Sequence, residues 1–185
     1  MKKGQTEERN ILKKIISLRC HYLMMCNNEV DLKDIFNLNC QLIKVSGGQE
    51  FIKGTYSIDI QKSLYQKNQN KMDTFILIDE CGNSIATASV MYKKGNELEY
   101  RIRKIDAFLF NVYVNAKYRH KGYADIMMKL IQNYLLEKKG IKRLLLAVSV
   151  DNEIAIKTYK KNNFKVIGKR IFIRVLRHNF PYYKL

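Results

Sequence analysis

A short basic turn separates an apolar, strand-like run from a helix-like run in the second half of the chain. The apolar run covers 108–114, the turn at 119–124 reads RHKGYA, and the helical run covers 126–136. Where a strand leads into a helix, the unpaired N–H groups of the first helical turn and the helix dipole favour a bound anion. Gly122 lets the backbone approach such a ligand, and Ala124 adds little bulk. The sequence therefore predicts a phosphate-binding turn at 119–124.

A second block lies on the next helix-like segment. It begins with Asn152 and Ala155, continues to Tyr159, and ends at Asn163 and Phe164. Asn152 and Tyr159 are seven residues apart, which is about two turns of an α-helix, so their side chains lie on nearly the same face. A glycine-containing hexapeptide alone recurs by chance. The two blocks in this order are much more specific.

The strand end at 112–114, the turn at 119–124 and the block at 152–164 together resemble the GNAT superfamily of N-acetyltransferases. The resemblance covers about residues 74–168. It implies an α/β fold with a central mixed, mostly antiparallel sheet of about seven strands, flanked by about four helices. It also implies transfer of an acetyl group from acetyl-CoA to a primary amine, by direct attack in a ternary complex.

Two positions depart from the family pattern. Asn163 stands where the family usually has Gly, and Ala116 stands where it often has Pro. Asn tolerates the left-handed conformation needed just past a helix end, and the Pro only stiffens a loop. Neither departure removes chemistry from the expected site.

The resemblance implies where acetyl-CoA binds. Its pyrophosphate is expected on the turn, and its pantetheine arm, whose amides pair like a peptide, beside the strand that ends at Val114. A bulge common in the family at this point would turn one backbone N–H toward the thioester oxygen. The expected cofactor-binding residues are Val112, Tyr113, Val114, Arg119, His120, Lys121, Gly122, Tyr123, Ala124, Asn152 and Tyr159.

Tyr159 is the expected catalytic residue. A phenol has a reference pKa of about 10, so it stays protonated at neutral pH and can donate to the departing CoA thiolate as a general acid or hydrogen-bond donor. The alternative is an amphipathic side chain that fills the helix–sheet interface. Asn152 caps the helix and is expected to contact the cofactor as well.

No general base is identified from the sequence. Proximity and desolvation can carry much of an aminolysis reaction, and a water chain can take the proton. The acidic residues near the expected cleft strands are Glu80, Glu97, Glu99 and Asp106, and each is also explained as an ordinary strand-end or turn charge.

Residues 1–185 are interpreted as one N-acetyltransferase domain, in which 1–73 supply an N-terminal strand and acceptor-side helices. Periodicity, turn residues and helix stops predict the elements around the motifs. The predicted strands are 18–25, 74–80, 84–92, 106–114, 141–150, 164–167 and 170–176. The predicted helices run from 124 to a stop at Gly140 and from 152 to about 162, and others lie between 31 and 70, where Leu42 follows a helical spacing.

Composition excludes several classes of protein. No apolar run is long enough to cross a bilayer, and the basic N-terminus lacks a signal-peptide pattern, so a cytoplasmic protein without a membrane partner is expected. No dinucleotide-binding, Walker A, zincin or nucleophile-elbow motif occurs. Four cysteines without C-x-x-C spacing and three scattered histidines predict reduced thiols and no metal site.

The charge balance leaves a second function open. The chain has 34 basic and 17 acidic residues, a formal net charge of +17. Such a field attracts polyanions as well as the phosphates of CoA. A basic RNA- or ribosome-associated module without turnover is therefore an alternative, although a nucleic-acid partner is not favoured. An acyltransferase for longer acyl-CoA is another. The acceptor amine could be a small molecule, a protein N-terminus or a lysine, and the protein a monomer or a homodimer.

Overall fold

Ten strands and three α-helices make up the part of the chain that the structure describes. This computed structural model describes residues 16–27, 39–46, 51–68, 71–92, 96–97, 100–101, 103–175 and 178–184. The strands are β1 (Ile16–Asn27), β2 (Cys40–Lys44), β3 (Met72–Asp79), β4 (Ser84–Met91), β5 (Asn96–Glu97), β6 (Tyr100–Arg101), β7 (Asp106–Val114), β8 (Arg143–Ser149), β9 (Lys165–Val175) and β10 (His178–Lys184). The helices are α1 (Ile58–Lys67), α2 (Tyr123–Lys139) and α3 (Glu153–Lys161), with a 3-10 turn at Ala116–Tyr118.

Eight of these strands form one sheet in the order β10-β9-β1-β8-β7-β4-β3-β2. The short strands β5 and β6 pair with each other. Within the eight-stranded sheet, β7 and β8 are parallel and all other described neighbours are antiparallel. The predicted mixed, mostly antiparallel α/β fold is therefore confirmed. The described sheet has one strand more than expected.

The parallel pair separates along its length. Residues 106–109 of β7 pair with residues 143–146 of β8, and the recorded pairing stops there. The remaining residues of β7, 110–114, continue without pairing to β8. Helices α2 and α3 follow β7 and β8, so both helices begin at this open end of the sheet. A cleft between the two strand ends results from this divergence.

Helix α2 covers one face of the sheet, as its predicted spacing requires. Met127, Met128, Ile131 and Leu135 are each at most 1% exposed and pack against buried residues of the strands. Burying an aliphatic side chain of this size stabilises a fold by about 1.5–3 kcal/mol. The helix ends at Gly140, whose φ of 61° forms the predicted left-handed stop.

The hairpin between β3 and β4 is confirmed. Gly82 has a φ of 79° in the connecting turn. The Asp79 carboxylate accepts hydrogen bonds from the backbone N–H groups of Cys81 at 3.0 Å and Asn83 at 2.8 Å. A second turn predicted at residues 93–96 lies mostly outside the described residues.

Two secondary-structure predictions are wrong. Leu42 lies in β2, where it pairs with Leu77 of β3, because strand pairing outweighs a weak helical spacing. The predicted strands 164–167 and 170–176 are a single strand, β9, which passes through Gly168 with a bulge opposite Leu23 and Met24. Strand β10 was not predicted. The part of that helical pattern before Leu42, residues 31–38, lies outside the described residues.

No helix in the described ranges is both long and apolar enough to cross a bilayer.

Candidate active site

A β-bulge interrupts β7 beside the cleft, where the resemblance implies one. Thr87 of β4 lies opposite Tyr113, whereas Ser89 lies opposite Phe110, so β7 carries one extra residue between the two pairs. Asn111 has a φ of 54° at this point. Asn adopts such left-handed backbone more readily than other residues with a Cβ. The bulge re-aims the backbone of the residues that follow it.

The backbone edge beyond the bulge faces the opening between β7 and β8. The N–H of Asn115 donates to a β4 carbonyl at 2.8 Å, so the alternating groups of Val114 point away from β4. The Val114 carbonyl accepts from Arg119 Nε at 3.1 Å, and the Val112 carbonyl accepts from Thr55 Oγ1 at 3.1 Å. Since the N–H and C=O of one extended residue point to the same side, both valine N–H groups face the cleft.

The turn at 119–124 presents a run of backbone donors. His120 has a φ of 61° and Gly122, the N-cap of α2, a φ of 80°. Within the described part of the chain, no protein group accepts a hydrogen bond from the backbone N–H groups of residues 120–124. A Cβ at Gly122 would meet nothing within 4 Å, so its left-handed backbone is what requires glycine in the protein itself. Such a concave row of N–H groups suits an anion.

Aromatic rings hold the cations of this turn. The guanidinium of Arg119 lies 5.4 Å from the ring centroid of Tyr113, and the ammonium of Lys121 lies 5.9 Å from that of Tyr118. The Tyr118 hydroxyl donates to Asp79 at 2.8 Å, which ties the turn to the β3–β4 hairpin.

One cavity of about 730 Å³ extends along this turn and the start of α3. It is lined by every expected cofactor-binding residue except Lys121, namely Val112, Tyr113, Val114, Arg119, His120, Gly122, Tyr123, Ala124, Asn152 and Tyr159. Sequence reasoning missed eight further lining residues: Tyr118, Asp125, Met128, Ile154, Ala155, Lys157, Thr158 and Lys161. Of the α3 members, Ala155 lies three residues after Asn152 and shares its face of the helix. Residues 154, 157, 158 and 161 lie on the other side of α3 from Asn152, so spacing from Asn152 would not have indicated them.

An acidic side chain in this cavity joins the N-terminal end of α2 to the C-terminal end of α3. Asp125 forms an ion pair with Lys161 and accepts a hydrogen bond from Asn162 Nδ2 at 2.9 Å. The carboxylate raises the pKa of Lys161 by favouring its charged form. The ammonium of Lys161 thereby balances the negative charge of Asp125 beside the basic turn.

Tyr159 and Asn152 occupy one face of α3. Asn152 Oδ1 accepts from the N–H of Ala155 at 3.2 Å, which is the predicted helix cap. The Tyr159 ring packs 5.8 Å from the Phe164 ring, and burial raises the pKa of its phenol to about 12. Asn163 has a φ of 64° just after the helix, as expected for a residue in the place of the usual Gly.

A second cavity of about 540 Å³ meets the first at Val112, Asn152 and Tyr159, which line both. Its other described lining residues come from β1, the 55–56 loop, α1 and β4, and from β7 and β8: His21, Thr55, Tyr56, Leu64, Met91, Phe108, Leu109, Phe110, Asn111, Ala147, Val148 and Ser149. Because they are scattered along the sequence, no local motif could have indicated this cavity.

Residues 51–57, here called the acceptor loop, are fastened to the bulge. Asn111 Oδ1 accepts from the N–H of Tyr56 at 2.9 Å. Gly54 lies so close that a Cβ there would be 2.6 Å from Asn111 Oδ1. Gln61 Nε2 holds the loop to α1 by donating to the carbonyls of Ile52 at 2.8 Å and Tyr56 at 3.0 Å.

The acidic residues considered as bases do not gather at the junction of the cavities. Asp106 is fully buried at the opposite end of β7, about 20 Å away along the strand, and its carboxylate pairs with Arg143 at 2.6 Å. Glu80 is exposed in the hairpin turn and lines neither cavity. The side chains of Glu97 and Glu99 lie outside the described residues. All four cysteines are free thiols, and none lines either cavity.

A sequence-family comparison agrees with this geometry. The model of the Acetyltransferase (GNAT) family matches residues 48–164, more than half of the chain. Among curated proteins, phosphoribosylaminoimidazole-succinocarboxamide synthase from Thermococcus sibiricus is 28% identical over 78 residues, which is 42% of this chain and 34% of that protein. The chain spans about a third of that relative, so the match shows only a partial similarity.

Solved structures share the fold at low identity. A tandem GNAT protein from the clavulanic acid biosynthesis pathway has a TM-score of 0.62 at 11% identity, over 94% of this chain and 58% of that one. A GCN5-related N-acetyltransferase from Kribbella flavida has a TM-score of 0.56 at 10% identity, over 91% and 63%. Spermidine N-acetyltransferase from Vibrio cholerae, in complex with CoA and spermine, has a TM-score of 0.51 at 17% identity, over 66% and 79%. This chain belongs to the GNAT family of acetyltransferases.

Proposed function

We propose that this protein is a single-domain enzyme that transfers an acetyl group from acetyl-CoA to a primary amine by direct attack in a ternary complex. The observation that carries the proposal is the meeting of two cavities at Val112, Asn152 and Tyr159. One cavity runs along the anion-binding turn. The other opens under the acceptor loop, so two different ligands can reach the same point from opposite sides.

The residues of the first cavity fit CoA. The five N–H groups at 120–124 suit a pyrophosphate, and the neighbouring cations strengthen such contacts, because charge-assisted hydrogen bonds are about twice as strong as neutral ones. The edge N–H groups of Val112 and Val114 suit the amide carbonyls of a pantetheine arm. Members of the GNAT family bind acetyl-CoA or CoA, as the solved complex from Vibrio cholerae illustrates.

Acetyl-CoA supplies the thioester whose carbonyl carbon the amine attacks. A C–N bond forms, the C–S bond breaks, the nitrogen gives its extra proton to solvent, and the sulfur leaves as a thiolate that is later protonated. The Val112 N–H beside the bulge is the donor placed to stabilise negative charge developing on the carbonyl oxygen.

Tyr159 acts on the leaving sulfur as a hydrogen-bond donor. Its phenol, with a pKa raised to about 12, holds its proton more tightly than a thiol of ordinary pKa, about 8.5. Complete transfer of the proton to the thiolate is therefore unfavourable. A hydrogen bond from the phenol stabilises the thiolate without that transfer.

The amine loses its proton without a carboxylate base in this proposal. Asp125 is the acidic residue among the described lining of the two cavities, and it is engaged by Lys161 and Asn162. Transfer of an ammonium into a low-dielectric cavity lowers its pKa and favours the neutral, nucleophilic form. Holding that amine beside the thioester replaces much of what a base contributes.

The test is release of CoA thiol from acetyl-CoA in the presence of a panel of amines. Spermidine belongs in the panel, because one solved neighbour is a spermidine N-acetyltransferase. The proposal predicts amine-dependent thiol release and an acetylated amine detectable by mass spectrometry. Tight CoA binding without acetylation of any amine would contradict the proposed acetyl transfer. A faster reaction with a longer acyl-CoA would show that acetyl-CoA is not the preferred donor.

The formal net charge of +17 supports one other function, an RNA- or ribosome-bound module. That alternative predicts RNA affinity that falls steeply with salt, with no thiol release from acetyl-CoA.

A further inference from the structure

The second cavity indicates which amines the protein accepts. We infer that the acceptor is a monoamine with an aromatic or branched aliphatic body, not a polyamine. This inference rests on the proposed acetyl transfer and concerns the chemistry of the cavity under the acceptor loop.

Aromatic and aliphatic side chains form more than half of the wall of this cavity, and polar groups form the rest. Phe108 and Phe110 alternate along β7 with Ala107 and Leu109, which belong to the core beneath α2, so the two rings project from the opposite face of the sheet. The ring of Tyr56 lies 6.1 Å from that of Phe110. Leu64, Met91 and Ala147 complete the apolar lining on this face. A volume of about 540 Å³ is within the range of pockets that bind small molecules, and one ring or branched chain fits inside it.

No described residue that lines this cavity carries a negative charge. Its polar members are His21, Thr55, Tyr56, Asn111, Ser149, Asn152 and Tyr159. Thr55 and Asn111 already make hydrogen bonds between the acceptor loop and the bulge. The cavity therefore offers no carboxylate from the described residues to a second ammonium group.

A polyamine keeps at least one further ammonium after its reacting amine is deprotonated. In this cavity that charge would be desolvated without a carboxylate partner from the described lining residues.

The experiment compares 2-phenylethylamine, 3-methylbutylamine and spermidine as acceptors, with thiol release as the readout. The two apolar monoamines are expected to have a kcat/KM at least about tenfold above that of spermidine, the scale on which an apolar pocket discriminates. Equal or faster reaction of spermidine overturns the inference and leaves acetyl transfer intact.

A calorimetric titration separates the remaining outcomes. If CoA itself does not bind, the proposed function fails. If CoA binds but no amine reacts, binding of 2-phenylethylamine to the CoA-loaded protein is measured directly. Its failure to bind more tightly than spermidine overturns the inference.

Two variants of the cavity test its chemistry. Phe110→Ala is expected to raise KM for 2-phenylethylamine about tenfold with little change in KM for acetyl-CoA, because Phe110 lines only the second cavity. Met91→Glu adds a carboxylate and is expected to shift the preference toward spermidine severalfold. Ile60→Ala is the matched control, since Ile60 is 50% exposed and lines neither cavity. An unchanged amine preference in both cavity variants, each checked for a cooperative thermal transition, contradicts the inference.

Discussion

Three residues at the site adopt left-handed backbone, namely Asn111, His120 and Gly122, with φ of 54°, 61° and 80°. This conformation costs most L residues about 1–2 kcal/mol, and Gly and Asn adopt it most readily. His120 is in neither class, so the turn carries strain where its N–H groups converge. Strain of this kind persists where surrounding structure enforces it, commonly at ligand-binding segments.

Gly122→Ala is expected to weaken acetyl-CoA binding at least about tenfold, or about 1.4 kcal/mol, because a Cβ at a φ of 80° tilts the N–H groups of the turn. Isothermal titration calorimetry with acetyl-CoA measures this change. Affinity equal to that of the wild type would contradict the assignment of the turn.

Gly140→Ala provides the matched control. Gly140 also has a left-handed φ, 61°, and a Cβ there would also meet nothing within 4 Å, but it ends α2 at the opposite end from the turn. Both variants are expected to lose about 1 kcal/mol of stability in chemical denaturation. Only Gly122→Ala is expected to lose affinity.

Tyr159→Phe removes the hydroxyl and keeps the ring that packs against Phe164. The loss of a hydrogen bond to the departing sulfur is expected to lower kcat by about 10²-fold, in the range for a donor that stabilises developing negative charge. The dissociation constant for acetyl-CoA is expected to change by less than about twofold. A wild-type kcat at pH 7.5 would remove Tyr159 from the reaction.

The pH profile tests the protonation state of the same phenol. Because burial raises the pKa of Tyr159 to about 12, its protonated, donating form persists as the pH rises through the range in which amines become neutral. The rate with a limiting amine is expected to rise with pH and to show no fall from this group below about pH 10. A descending limb near pH 8 or 9 that disappears in Tyr159→Phe would contradict that pKa.

Among the larger elements, the acceptor loop and β7 act as a unit. Thr55 and Tyr56 bond to the bulge, and Gly54 permits the contact because any Cβ would be 2.6 Å from Asn111 Oδ1 and 3.0 Å from Thr87 Cγ2. The acceptor loop, which lines the second cavity, is therefore coupled to β7, which lines both cavities.

Gly54→Ala is expected to displace the Asn111 amide, lower stability by about 1–3 kcal/mol and raise KM for the amine severalfold. KM for acetyl-CoA is expected to change less. In an Asn111→Gly background, the clashing amide is absent while the left-handed backbone is retained, so the added effect of Gly54→Ala should be smaller. Additive effects on both stability and amine KM would show that the two residues are not coupled.

Prediction from the sequence succeeded where local chemistry decides the structure. The turn at 119–124, the Asn152 cap and the stop at Gly140 depend on neighbouring residues, and all three have the expected backbone. Prediction failed at Leu42, where pairing with β3 outweighs the local helical spacing. It also failed at Gly168, where pairing with β1 continues the strand through a glycine that was expected to interrupt it.

At the scale of the whole molecule, the two cavities also differ in whether neighbouring residues or distant strands determine them. The motifs indicated ten of the eighteen described residues that line the first cavity, because those ten follow two consecutive strand–helix connections. The second cavity joins His21, the acceptor loop, Met91 and the end of β8, which only the assembled sheet brings together. Its set of lining residues could not be predicted before the register of the strands was known.

Docking of a diphosphate on the turn at 119–124 can be observed directly by following backbone amide resonances during a titration of the folded protein with CoA. Saturable shifts are expected at 120–124 and at Val112 and Val114, with little change at Gly140. Binding of CoA that leaves the amides of 120–124 unperturbed, or the absence of binding, would contradict the assignment of this site.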